Sequence, residues 1–313
     1  YSSGTTGVPK CIVHSGGGTL LQHKKELMLH VDLKNDECLL YYTTCGWMMW
    51  NWMVSALSVG ASLALFEGSP VYPNSNYFWE FLNNENVNVL GTSPKYIATC
   101  IKEDINPNSH QKLSHLKTIL STGSPLLPEH FDWIYQQFGD QVHLASISGG
   151  TDIISCFMLG NPLLPVYSGE IQHAGLGMAI EAWDENGNSV VNSQGELVCT
   201  APFVSMPTNF WQDPNSEKYD NAYFNFYENR DVWRHGDFVE INEQGGVVVY
   251  GRSDATLNPG GVRIGTAEIY RVVEKLPEIL DSIVVGHEVD SETKVILFVV
   301  MQKTINLMSN FRK

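Results

Sequence analysis

The run CLLYYTTCGWMMWNWMVSALSVGASLALF, from Cys38 to Phe66, contains no charged side chain, and its reading decides the fold. A helix that crosses a bilayer needs about 20 apolar residues in succession. Here Thr43, Thr44, Gly46, Asn51, Ser55, Ser58, Gly60 and Ser62 interrupt the run. It divides instead into a strand at 39–44, a helix at 47–58 and a strand at 62–66. That is the pattern of a buried strand–helix–strand unit, not of a membrane span.

The same alternation extends on both sides. Strands are expected at 87–91, 117–121 and 142–147, and helices at 19–30, 76–84, 94–103 and 128–138. This spacing predicts an α/β fold with a helix-covered, mostly parallel sheet. From residue 168 the texture changes to short strands, at 178–183, 195–200, 238–241 and 246–250. Turn signals such as Asp184-Glu185-Asn186-Gly187 and Glu243-Gln244-Gly245-Gly246 separate them, which predicts a smaller β-rich subdomain. Beyond Gly251 a glycine-rich turn leads to a helix at 266–276 and strands at 281–286 and 294–300, the start of a small α+β unit. The expected division is 1–167, 168–253 and 254–313.

Charge narrows the partners. A net charge of −15 over 313 residues argues against nucleic acid and against anionic membrane surfaces. A nucleotide site in such a chain has to be built from local donors and a metal, because the overall field repels the phosphates. Cys11, Cys38, Cys45, Cys100, Cys156 and Cys199 show no zinc or redox spacing and read as buried thiols of a reducing compartment. The chain opens on Tyr1 with no charged-then-apolar leader, so no targeting peptide is assigned and a cytoplasmic location is expected.

Four segments concentrate the residue types that do chemistry. Ser2-Ser3-Gly4-Thr5-Thr6-Gly7-Val8-Pro9-Lys10 combines hydroxyls, glycines and a lysine, which suits a flexible anion cradle, although it lacks the Walker spacing and also reads as a surface loop. Gly149-Gly150-Thr151-Asp152 reads either as a polar ligand turn or as a turn that caps a helix. Trp233-Arg234-His235-Gly236-Asp237 ends in a carboxylate, the natural acceptor for a vicinal diol, or equally a β-turn aspartate. Gly251-Arg252-Ser253-Asp254-Ala255-Thr256-Leu257-Asn258-Pro259-Gly260-Gly261-Val262-Arg263-Ile264-Gly265 has the close glycines and fixed proline of backbone that lies against a ligand.

Taken in order, these segments resemble the motifs of the adenylate-forming enzymes, which include acyl-CoA synthetases, luciferases and peptide-synthetase adenylation domains. The resemblance implies ATP, Mg²⁺ and CoA. It makes Ser2, Ser3, Gly4, Thr5, Thr6, Gly7 and Lys10 a phosphate loop, puts Thr151 on a nucleotide phosphate and gives the metal to Asp152. Relatives have glutamate at that last position, so the aspartate keeps a hard oxygen with a shorter reach. Gly123-Ser124-Pro125 would pack beside the adenine and the acyl pocket. Asp237 and Arg252 would contact the ribose and Arg263 a phosphate. Asp254 would be the hinge of a mobile C-terminal domain, and Gly261 would lie along the pantetheine arm of CoA. Gly195-Glu196-Leu197 with Pro202 matches a structural motif without chemistry.

Thr43 to Trp52 resembles the helix that lines the acyl pocket in short-chain members, with Trp47 in the wall. Members that activate acetate close the pocket with a tryptophan where this chain has Gly149, and removing an indole opens space for a longer acid. The wording of both segments is similar to the acetoacetate-activating branch. The implied reaction forms an acyl-adenylate and pyrophosphate from the acid and Mg·ATP, then a thioester and AMP by attack of the CoA thiol. Relatives use a lysine in a C-terminal Pro-x4-Gly-Lys loop that does not occur here, and Lys303, Arg312 and Lys313 stand in the wrong context. The chain is therefore expected to be truncated at both ends and to be nearly inactive alone. Butyrate, propionate or acetate as the acid, and a non-catalytic nucleotide-binding protein, are the alternatives.

Overall fold

The computed structural model describes residues 2, 9–108, 113–253, 257, 264–273, 275–276, 278–289 and 292–302. A short strand β1 (Ile12–Val13) precedes helix α1 (Gly16–Lys25), whose N-terminus is capped by the Ser15 hydroxyl accepting the Gly18 N–H at 3.1 Å. A π-helical turn, Glu26–His30, extends α1. There follow β2 (Cys38–Tyr41), α2 (Met48–Val54), β3 (Ser62–Leu63), α3 (Tyr77–Asn84), β4 (Val89–Thr92), α4 (Pro94–Lys102), β5 (Thr118–Ser121), α5 (Pro128–Phe138) and β6 (His143–Ser146). The five strands form one sheet in the order β3-β2-β4-β5-β6, parallel throughout.

Strand periodicity divides the core. Leu40, Leu90, Ile119 and Leu144 point to one face, where Phe78, Trp79, Leu82, Ile97, Phe131 and Ile134 of α3, α4 and α5 cover them. Their neighbours Leu39, Val89, Leu120 and Ala145 point to the other, against Leu27, Met49, Trp52 and Met53 of the α1 and α2 layer. Covering both faces is why two successive residues at the middle of each of these strands are apolar, one on either side of the sheet. The uncharged run is thus a strand, a helix with a 3₁₀ extension (Ser55–Val59) and a two-residue strand. Among the described residues no helix is long and apolar enough to cross a membrane.

A small antiparallel sheet comes next, formed by β7 (Ser148–Gly150), β8 (Ser155–Leu159) and β9 (His173–Ala174). Sequence reading does not anticipate it, because a Ser-Gly-Gly strand has no side-chain pattern; its β8–β9 pair also spans residue 168, where the texture changes. The larger antiparallel sheet has the order β11-β10-β12-β14-β15, built from β10 (Ile180–Trp183), β11 (Ser189–Val190), β12 (Gln194–Cys199), β14 (Trp233–Ile241) and β15 (Val247–Arg252). Between them lie β13 (Asn209–Phe210), which pairs with β1, and α6 (Glu217–Tyr223). Helix α7 (Thr266–Val273) and the hairpin β16 (Ile279–Val289) with β17 (Glu292–Met301) end the described chain.

Candidate functional site

One cavity of about 440 Å³ opens between the carboxyl ends of β5 and β6 and the β14–β15 pair. Ser2, Lys10, Trp47, Gly123, Ser124, Pro125, Gly149, Thr151, Asp152, Asp237 and Arg252, all singled out from sequence, line it together. Ser3, Gly4, Thr5, Thr6, Gly7, Asp254, Gly261 and Arg263 lie outside the described residues. The parallel sheet supplies its part through loops, since residues 122–125 and 147–152 leave the carboxyl ends of β5 and β6.

On one side Lys10 Nζ forms an ion pair with Asp152 Oδ2. The Tyr223 hydroxyl donates to the same oxygen at 2.7 Å, and Lys10 lies 4.9 Å from the centre of the Tyr223 ring. That ring is stacked on Trp233, 3.7 Å between centroids at 15°. Burial pushes the Asp152 carboxyl up, but the Lys10 ammonium, with the hydrogen bonds from Lys10 and Tyr223, outweighs it and leaves the group below the usual carboxylate range. Burial and the adjacent Asp152 charge push the Tyr223 phenol far up, so it remains a proton donor. Tyr223 sits on α6, a helix with no clear pattern in the sequence, and was not foreseen. Asp152 caps no helix. It lies in the turn between β7 and β8, which corrects that alternative reading.

Across the cavity Asp237 and Arg252 are direct partners in the β14–β15 ladder. Arg252 Nη1 donates to Asp237 Oδ1 at 3.2 Å and to the His235 carbonyl at 3.1 Å. Asp237 is therefore a mid-strand residue, not a β-turn aspartate. Gly236, at φ +86°, makes this possible: a Cβ there would stand 2.6 Å from Arg252 Nη2. Behind them His235 packs edge-on against Phe157, with centroids 4.6 Å apart, and its Nε2 is 3.7 Å from Asp237 Oδ2. Burial holds that imidazole below its usual range against the pull of Asp237.

The third wall is apolar. Trp47 starts α2, meets Tyr41 edge-to-face at 6.2 Å and approaches Gly123. Gly149 lines the cavity, but its missing side chain is not what leaves the space. A Cβ on this backbone would meet the Ser155 carbonyl oxygen at 2.0 Å and Cys156 Cα at 2.6 Å. Glycine is needed there for the close pass of β7 over β8, which corrects the physical reason given for an open acid pocket.

A cation beside a carboxylate, a carboxylate beside an arginine and an aromatic wall around one space suit a ligand with phosphates, a diol and a small apolar part. Residues 1–207 match the family described as AMP-binding enzyme. The chain belongs to the AMP-binding enzymes. It is 53% identical over 307 residues to an acetoacetyl-coenzyme A synthetase of Rhizobium meliloti (strain 1021), covering 98% of this chain and 47% of that protein. It is 52% identical over 303 residues to the acetoacetyl-CoA synthetase of Mus musculus, covering 96% and 45%. The solved acetoacetyl-CoA synthetase from Streptomyces lividans superposes with a TM-score of 0.91 at 43% identity, over 99% of this chain and 47% of that one. This AMP-binding enzyme chain thus spans about half the length of the relatives it matches.

Proposed function

We propose that this chain carries the nucleotide and acid site of an AMP-forming acetoacetate–CoA ligase. The observation that carries the reading is the single cavity in which the Lys10–Asp152 pair, the Asp237–Arg252 pair and the Trp47 wall face one another. The names of its relatives point to acetoacetate as the acid.

In this reading Asp237 accepts from both ribose hydroxyls, with Arg252 holding the carboxylate in place and touching the ribose. Gly123-Ser124-Pro125 flanks the adenine. Thr151 and Lys10 donate to phosphate oxygens, with Ser2, Ser3, Gly4, Thr5, Thr6, Gly7 and Arg263 in the same role. Arriving phosphates compete with Asp152 for Lys10, and that exchange frees a carboxylate oxygen. Asp152 is then the residue to hold Mg²⁺, which neutralises phosphate charge. Among the described residues no group of three or more His, Cys, Asp or Glu side chains could hold a metal alone. A single hard carboxylate still fits, because Mg²⁺ keeps several waters and takes substrate phosphates as ligands.

Acetoacetate sits against Trp47 and the Gly149 backbone. Its carboxylate oxygen bonds to the α-phosphorus as pyrophosphate leaves. The CoA thiol then gives up its proton and its sulfur bonds to the acyl carbon as AMP leaves, with Gly261 along the pantetheine arm and Asp254 as the hinge. The parts 1–167 and 168–253 form one large domain in this reading, 254–313 begin the mobile one, and the setting is the cytosol.

Calorimetric titration with AMP and Mg·ATP tests the site on this chain, and ATP–pyrophosphate exchange with acetoacetate, butyrate and acetate tests the acid on the full-length enzyme. Binding that is lost in Asp237→Ala, with exchange fastest on acetoacetate, is the expected result. Preference for butyrate or acetate moves the substrate and leaves the site; no nucleotide binding at all overturns the proposal.

A further inference from the structure

Two ionisable side chains of the N-terminal helix are wholly buried, and the chemistry above uses neither. His23 and Glu26 are both 0% exposed and stand three residues apart, so they share one helix face. Both reach the backbone that leads away from Asp152. His23 Nε2 bonds the carbonyl of Ile154. A carbonyl only accepts, which fixes the Nε2–H tautomer and leaves Nδ1 to accept from the Ser55 hydroxyl at 2.8 Å in the neutral ring. Glu26 Oε1 accepts the Cys156 backbone N–H at 3.2 Å and the Gln22 amide at 2.8 Å, while Oε2 accepts the Trp52 indole N–H at 2.8 Å. These three partners are donors, and Lys25 Nζ lies 3.8 Å from Oε1, the complement of a carboxylate.

The backbone held in this way resists its own conformation. Ile154 has φ +51°, in the left-handed region that a β-branched residue adopts only under strain, and its N–H closes the turn on the Thr151 carbonyl at 3.2 Å. Apolar packing alone does not explain the choice of side chains: apolar residues of similar volume would take these partners away from the Ile154 carbonyl, the Cys156 N–H and the Trp52 indole N–H. A donor and an acceptor one helical turn apart, matched to a C=O and an N–H two residues apart, instead specify position.

We propose that His23 and Glu26 are positioning residues, a buried clamp that holds the strained Thr151–Cys156 backbone and so sets where Thr151 and Asp152 stand in the cavity. Through Trp52 the same carboxylate ties in α2, the helix that begins at Trp47 and forms the acid wall. The clamp on the backbone stands on geometry alone; its effect on nucleotide rests on the function proposed above.

Glu26→Gln tests it, since an amide whose oxygen accepts from Cys156 turns its own NH₂ toward the Trp52 N–H. Amide exchange at residues 151–156 should quicken, and the Mg·ATP dissociation constant should rise about tenfold, equivalent to about 1.4 kcal/mol. His23→Leu should act in the same direction and His23→Gln, which keeps an N–H donor, should restore binding. Leu82→Ala, in the core on the opposite face of the sheet, is the control: it lowers thermal stability yet should leave the affinity within about twofold. Clamp variants whose affinity follows thermal stability as Leu82→Ala does would overturn the proposal. If the wild-type chain binds no Mg·ATP, the proposed function fails, and exchange decides the clamp: faster at 151–156 than in Leu82→Ala upholds it, equal rates reject it.

Discussion

The parallel sheet β3-β2-β4-β5-β6 meets the cavity with the loops that leave its strands, whereas the antiparallel sheet β11-β10-β12-β14-β15 meets it with residues of the strands themselves. Helices cover both faces of the first, so its strand side chains are committed to the core and only its carboxyl ends are open. In the second, the ladder itself sets Asp237 opposite Arg252. The lesson is that the two halves of the site depend on different properties. Around the parallel sheet the shape of the main chain matters most; on the antiparallel sheet charge and register do.

Gly149→Ala breaks the comparison hardest. Its Cβ has no room over Ser155, so about 3 kcal/mol or more of stability should be lost in a denaturant titration. An unchanged midpoint would mean that the β7–β8 pass does not require glycine.

The next effect concerns α5, a helix covering the parallel sheet. His130 Nδ1 accepts the Leu127 N–H at 3.2 Å, and burial lowers its pKa to about 4 from the ordinary 6.5. The unfolded chain therefore binds a proton that the folded chain refuses, so stability is full above pH 6.5 and falls as pH drops toward 4. The loss from this group is on the order of 3 kcal/mol across that window. Urea titrations at several pH values should show a shallower decline for His130→Leu; equal slopes would remove His130 as the cause.

Arg252→Ala sharpens the comparison from the antiparallel side. The arginine side chain is 44% exposed, so the melting temperature should barely move. AMP affinity should fall by about ten- to hundredfold, the range of a charged hydrogen bond. A large loss of stability with intact affinity would mean that this sheet also acts through its fold.

Lys95→Ala should do least. Its 3.0 Å pair with Asp281 joins α4 to β16 in the open, and exposed pairs of this kind contribute less than about 1 kcal/mol. A larger change on thermal unfolding would show that the hairpin leans on the parallel layer through more than its surface.

Much of the first region was legible beforehand. The short, largely apolar segments at 39–44, 87–91, 117–121 and 142–147 each yielded a strand, and the helices between them began within a few residues of expectation. The helix expected from 19 starts at Gly16 because the Ser15 hydroxyl caps it, and local capping outweighed three glycines of low propensity. The three-stranded sheet was not legible because its Ser-Gly-Gly strand carries no side-chain pattern, α6 because it shows none either, and the β1–β13 pair because its two strands lie far apart in the chain.

The sequence by itself determined the α/β layering, through apolar periodicity, and the short list of polar residues that belong to one site, through ordered motifs. Tertiary structure alone decided that Lys10 neutralises Asp152, that Tyr223 joins them, that Asp237 faces Arg252 and that Gly149 serves backbone contact. It also decided that His23 and Glu26 grip the strained turn. The physical reason is that periodicity and propensity act over a few neighbouring residues, whereas hydrogen bonds, ion pairs and steric contact act over a few ångströms between residues as far apart in the chain as Cys11 and Trp211.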